Sequence, residues 1–179
     1  MNRPIVIVPY MWMRQCWAYG QQTVDAYKAG LNEQSRALAR NGIETSVQVQ
    51  TMGRVAEVAV CLWARLDPFA VLNWGNICDA GFDLVLAGFK FDIKASRGGA
   101  QYLIWPITKN HLFNIKSFDV LALVRVDDAR CELVGWIDKE IFRIHHDVAP
   151  DGHKLQPGTW FMHESRLYPF NRDAWSIAA

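Results

Sequence analysis

Residues 89–96 read FKFDIKAS. In an extended segment the alternation sends Asp92 and Lys94 to one face and Phe89, Phe91 and Ile93 to the other. A carboxylate and an ammonium two positions apart on one strand face suit phosphodiester hydrolysis. The carboxylate can hold a hard divalent cation through oxygen, and the ammonium can orient or polarise the attacking water. Asp83 opens the preceding run, DLVLA, and Gly88 can turn that run back on FKFDIKA as a hairpin. Such pairing lets the Asp83 carboxylate lie beside Asp92 and share one ion. Asp79, four residues earlier, competes as first acid, and Asp83 is preferred.

Glu57 sits in RVAEVAVCLWARL, residues 54–66, a segment apolar nearly all round that reads as a buried helix ended by Asp67-Pro68. A charge among Val55, Ala56, Val58, Ala59 and Val60 needs a metal, a cation or solvent to satisfy it. After the acid-x-Lys run come Arg97, Lys109, Lys116 and Arg125 as candidate phosphate contacts, with Gly98-Gly99 allowing close backbone approach.

The elements that must position these residues follow from periodicity. Residues 21–40 carry Val24, Tyr27, Leu31, Ala37 and Leu38 near helical spacing, with Asn41-Gly42 as a stop. Residues 43–50 alternate in part and read as a short strand, and residues 70–74, 83–87 and 89–95 are strand candidates. Residues 100–105 read as a further strand and residues 108–116 as a short helix or loop. FDVLALVRV and CELVGWI are two strands separated by the turn at Asp127-Asp128. The tail, residues 139–179, reads as irregular and turn-rich.

At this point DAGFDLVLAGFKFDIKAS resembles the signature of the PD-(D/E)XK, or restriction-endonuclease-like, nuclease superfamily. There an acidic residue opens one strand and an acid-x-Lys tripeptide ends the next; here these are Asp83 and Asp92-Ile93-Lys94. The resemblance covers about residues 53–136 and departs from the pattern in two ways. Phe82 stands where Pro often precedes the first acid, and Asp92 stands where Glu is commoner. It implies an α/β fold with a central mixed sheet of four or five strands flanked by helices. It also implies a Mg²⁺ or Mn²⁺ site formed by Glu57, Asp83 and Asp92, with Lys94 as the water-orienting group. Gln101 would assist from the next element, and Arg97, Lys109 and Lys116 would meet nucleic acid. The activity implied is hydrolysis of DNA in preference to RNA, and homodimers are common among double-strand cutters of this fold. The rival expectation is an inactive nuclease-fold module that binds nucleic acid or a protein partner as regulator or inhibitor.

Bulk properties agree with one domain. A chain of 179 residues, half of them apolar, can bury a core without disulfides or structural metal. Residues 1–50 are expected as an N-terminal helical addition to the nuclease-like core. The net charge of +1 excludes a strongly basic coat, so DNA contact must be local. Cys16, Cys61, Cys78 and Cys131 form no CxxC and read as reduced, mostly buried thiols. His145, His146, His153 and His163 match no metal-ligand spacing. Trp12, Trp17 and Tyr19 read as core, with base stacking or packing against a partner subunit as the alternatives. No GxSxG, phosphate loop or dinucleotide fingerprint is present. The N-terminus is a poor signal peptide and no apolar run reaches membrane-spanning length, so a cytoplasmic protein is expected.

Overall fold

A computed structural model describes residues 2–29, 47–75, 81–106 and 109–172. Cys78, Asp79 and the second half of the helix expected over residues 21–40 lie outside them. A five-stranded mixed sheet runs in the order β1-β6-β5-β3-β2, from β1 (Ile5–Ile7), β2 (Leu84–Leu86), β3 (Phe89–Arg97), β5 (Val120–Asp127) and β6 (Arg130–Asp138). A second sheet joins β4 (Tyr102–Trp105) to β8 (Trp160–His163) and β7 (Asp147–Val148). The expected α/β architecture is therefore present, with helices packed against the mixed sheet.

Strand β5 reads as an unbroken apolar run because both its faces are covered. Val120, Ala122, Val124 and Val126 join Phe91 and Ile93 in a core shared with helix α2 (Val47–Trp63). Leu121 and Leu123 enter a second core on the other face, with Trp105, Phe113 and Phe142. Helix α1 (Tyr10–Lys28) packs on α2 and contributes Trp12 and Cys16 to the first core. It starts at Tyr10, well before the expected Gln21. Gly20 does not break it, since a Cβ there would lie 2.4 Å from Thr51 Oγ1 and only glycine lets the two helices approach so closely.

Three expectations are corrected. Residues 47–50 form the first turn of α2 and not part of a strand, because their partial alternation is absorbed into the longer helical run. Residues 70–74 are not a strand: Pro68–Val71 form a short helix, α3, whose N-cap Asp67 accepts the Phe69 amide at 3.0 Å, and Pro68 presets the first turn. Among the described residues the tail is turn-rich but not wholly irregular. It holds α5 (Lys139–His145), β7, β8 and a 3₁₀ turn (Glu164–Arg166).

The β2–β3 hairpin turns at Ala87 and Gly88, whose φ values of 51° and 83° meet the double positive requirement of a type I′ turn. Strand β3 then pairs parallel with β5, matching Asp92 with Leu121 and Lys94 with Leu123. The parallel pairing needs a crossover, which β4 and the short helix α4 (Asn110–Phe113) provide.

Candidate active site at the end of the hairpin

Alternation along β3 puts Asp92 and Lys94 on the face of Leu121 and Leu123, opposite the face covered by α2. Asp92 is 2 % exposed, a cost that its neighbours must offset. Its Oδ2 is in ionic contact with Lys94 Nζ, and Lys116 Nζ lies 3.5 Å from Oδ1. Lys94 Nζ is thus the group set against Oδ2, and Lys116 the one set against Oδ1. Burial pushes the Asp92 carboxyl up. The ammonium groups of Lys94 and Lys116, with Lys109 further off, outweigh it and hold the carboxyl below its ordinary value. Asp92 is a carboxylate at neutral pH.

Lys94 is aimed by an aromatic floor. Its Nζ stands 4.6 Å from the ring centroid of fully buried Trp105, whose indole N–H donates to the Lys109 carbonyl at 3.0 Å. Lys116 is anchored through its backbone, its carbonyl accepting from Lys139 Nζ at 2.7 Å. The Asp92 face thus gathers Lys94, Lys109 and Lys116 about one acid. Lys109 and Lys116 are expected from the sequence only as nucleic-acid contacts; in the structure Lys116 pairs with Asp92 and Lys109 acts on it electrostatically.

Asp83 immediately precedes β2 at the open end of the hairpin. Its amide donates to the Phe91 carbonyl at 2.7 Å, and its Oδ2 accepts the Ile93 amide at 2.5 Å. Its carboxylate therefore rests on the peptide that follows Asp92. Glu57 approaches from the α2 side, where its Oε2 is 2.6 Å from Arg54 Nη1. Burial disfavours the Arg54 charge, but Glu57, Tyr19 and, more weakly, Asp83 more than restore it. The acids are strung around the end of β2: Glu57 with Arg54 on one side, Asp83 in the middle, Asp92 with its lysines on the other.

No family model, curated protein or solved structure matches this chain.

The donor chemistry suits a hard divalent cation. Asp83 and Asp92 supply carboxylate oxygens on either side of one peptide. Among the described residues, however, no group of three or more His, Cys, Asp or Glu side chains stands ready to hold a metal ion. Glu57 is held to Arg54 on the α2 side of the sheet, so of the three partners expected for it, metal, cation or solvent, a cation is the one present. The i,i+3 spacing of Arg54 and Glu57 on an apolar helix was the available signal for that pairing.

Among the remaining candidates, Arg97 is exposed, and alternation puts it on the strand face opposite Lys94. Gln101 is exposed, and its carbonyl accepts the Glu164 amide at 2.8 Å. Arg125 is not available to phosphate. Its guanidinium donates to the Ala100 carbonyl at 2.6 Å and to Glu132 at 2.9 Å, and it also pairs with Glu164. Glu132 faces Arg125 across the β5–β6 hairpin, whereas Ala100 and Glu164 are distant in sequence and spacing could not reveal them. The histidines serve structure: His146 stacks on Trp160 at 4.3 Å, His153 stacks on Phe161 at 5.1 Å, and His163 caps the 3₁₀ turn. No helix among the described residues is long and apolar enough to cross a membrane.

Proposed function

We propose that this chain is a divalent-metal-dependent nuclease of the PD-(D/E)XK kind that hydrolyses DNA phosphodiester bonds. The observation that carries the reading is the Asp92 face. It combines a buried carboxylate kept ionised, an adjoining Asp83, and Lys94, Lys109 and Lys116 supplying more positive than negative charge. That excess suits a phosphodiester and does not depend on the chain's near-neutral total charge.

Asp83 and Asp92 would hold the ion, while Glu57, the third acid that the resemblance assigns to it, is engaged by Arg54. When bound there, Mg²⁺ or Mn²⁺ supplies polarisation of the phosphate and acidification of water. The chain's own groups do the rest. Lys94, held over Trp105, orients the attacking water and stabilises charge building on the phosphate oxygens. Lys116 and Lys109 fix the phosphate against the same face. The Asp83 bond to the Ile93 amide keeps β2 and β3 in register, so Asp83 and Asp92 move together.

A second reading, a nuclease-fold module that binds nucleic acid or a protein without turnover, is favoured by one observation. Each of these acids already has a cation or an amide against it, and among the described residues no three acids converge. Cleavage of linear and circular DNA in Mn²⁺, Mg²⁺ or EDTA, beside an Asp92→Ala, Lys94→Ala double variant, separates the two. Metal-dependent cutting that the double variant loses supports the nuclease. Absence of cutting by the wild type, with DNA or a partner still retained, supports the binding module.

A further inference from the structure

Strand β1 is an edge of the five-stranded sheet, and its inner side is occupied by β6. The Leu133 amide donates to the Pro4 carbonyl at 2.9 Å and the Val8 amide to the Ala129 carbonyl at 2.8 Å, so Val6 and Cys131 form the hydrogen-bonded pair between them. Ile5 and Ile7 then occupy the alternate positions, and their amides and carbonyls point away from β6 along the open edge. Their side chains lie on the sheet face opposite Val6 and Val8, which pack into the α2 core, and are 44 % and 63 % exposed. Sheet edges are commonly blunted by charged side chains, and this one carries two β-branched apolar ones instead. Five of the twelve large apolar side chains exposed among the described residues fall within positions 5–17, namely Ile5, Ile7, Tyr10, Met11 and Trp17. Such a concentration beside an open edge marks an interaction surface.

We infer that β1 pairs antiparallel with β1 of a second copy of this chain, joining the two five-stranded sheets into one. The segment is its own complement. About a two-fold axis at Val6, Ile5 stands opposite the partner's Ile7 and Ile7 opposite the partner's Ile5, and the backbones exchange hydrogen bonds at both positions. Every outward amide and carbonyl of these residues gains a partner, and the isoleucine side chains cover one another on one face. A second copy fits better than an unrelated strand because register and side chains match in both directions. Pro4 and Pro9 bound the strand and confine the pairing to this short segment. The contact is isologous and consumes the edge that makes it, so it closes at two copies. Its axis is normal to the sheet, which keeps both Asp92 faces on the same side, on the order of 30 Å apart across the intervening strands. The inference does not depend on the nuclease reading.

The test is the mass of the purified chain in solution, by light scattering over a concentration series. It compares wild type, Ile7→Pro and two charged double variants, Ile5→Lys with Ile7→Lys and Ile5→Glu with Ile7→Glu. Wild type is expected at twice the chain mass. Ile7→Pro removes an edge donor and no β1–β6 hydrogen bond, so it should raise the dissociation constant about tenfold or more while the circular dichroism stays that of wild type. Each charged variant should be monomeric alone. An equal mixture of the two should regain twice the chain mass, because position 5 of one copy meets position 7 of the other. Wild type that stays at one chain mass up to its solubility limit overturns the inference, as do masses that grow beyond two chains. A dimer that both charged variants retain, or charged variants that fail to recombine, overturns it as well. If the variants do not fold, amide hydrogen exchange in wild type decides. Exchange at Ile5 and Ile7 that slows on the order of tenfold from dilute to concentrated protein supports the pairing, and rates independent of concentration overturn it.

Discussion

Asp83 Oδ2 accepts the amide proton of Ile93 at 2.5 Å, so the acid that opens one hairpin strand is fastened to the peptide following Asp92. On the proposed nuclease reading a structural and a chemical role coincide in this one carboxylate, and substitution separates them. Asp83→Asn keeps an acceptor oxygen but loses the charge. It should fold with a stability change within about 1 kcal/mol and lose cleavage, whereas Asp83→Ala should also cost about 1–3 kcal/mol for the orphaned amide. Urea unfolding beside a cleavage assay checks both; equal activity of Asp83→Asn and wild type would remove Asp83 from the site.

The Asp92 carboxyl is held below its ordinary value, so the sign of its linkage is set. Its contribution is fully present above the unfolded carboxyl value of about 3.9 and is lost as pH falls through the lower folded value. Asp92→Ala strands Lys94 and Lys116 and should cost roughly 3–5 kcal/mol at neutral pH, as for other broken buried pairs. The deficit relative to wild type should shrink under acid. Chemical unfolding of both proteins from pH 7 to pH 3 measures it; a deficit independent of pH would contradict the ionised, paired carboxylate.

Trp105 supports Lys94 with its ring and the Lys109 carbonyl with its indole N–H. Trp105→Phe keeps an aromatic floor and removes the donor. The expected result is a loss of about 1–3 kcal/mol with a raised KM for DNA, through displacement of Lys109. A variant unchanged in both would show that the Trp105 contact does not position the basic group.

Burial pushes the thiols of Cys16, Cys61 and Cys131 up to about 12. They should remain unmodified by iodoacetamide at pH 8 in the native protein and react fully in denaturant, because the thiolate is the reactive form. Peptide mass spectrometry after labelling reads each site separately.

Gly135 lies under the returning tail, where an added Cβ would stand 2.6 Å from Leu167 Cβ and 2.9 Å from the Tyr168 carbonyl. Gly135→Ala should destabilise by about 1–3 kcal/mol, the usual cost of overpacking. A thermal melt unchanged from wild type would mean that the tail does not hold its place over β6.

What the sequence determined by itself was local. The I′ turn at Ala87-Gly88, the shared face of Asp92 and Lys94, and the two strands about Asp127-Asp128 follow from neighbouring residues, since strand alternation and turn conformation act over a few positions. The Asp-Pro pair at residues 67–68 was equally local, yet it was read only as a stop when it also starts α3. Tertiary structure alone decided which charges meet. Lys116 reaches Asp92 because a crossover brings β5 parallel to β3, and Arg54 meets the Tyr19 ring because α1 packs on α2. Arg125, in a plausible position for phosphate, is consumed by Glu132 and Glu164. Ionic pairing acts through space over a few ångströms, and the chain separations involved carry no periodic trace of it. The acids and their near neighbours Lys94 and Arg54 were therefore within reach of sequence spacing, and Lys116, which comes to Asp92 from 24 residues away, was not.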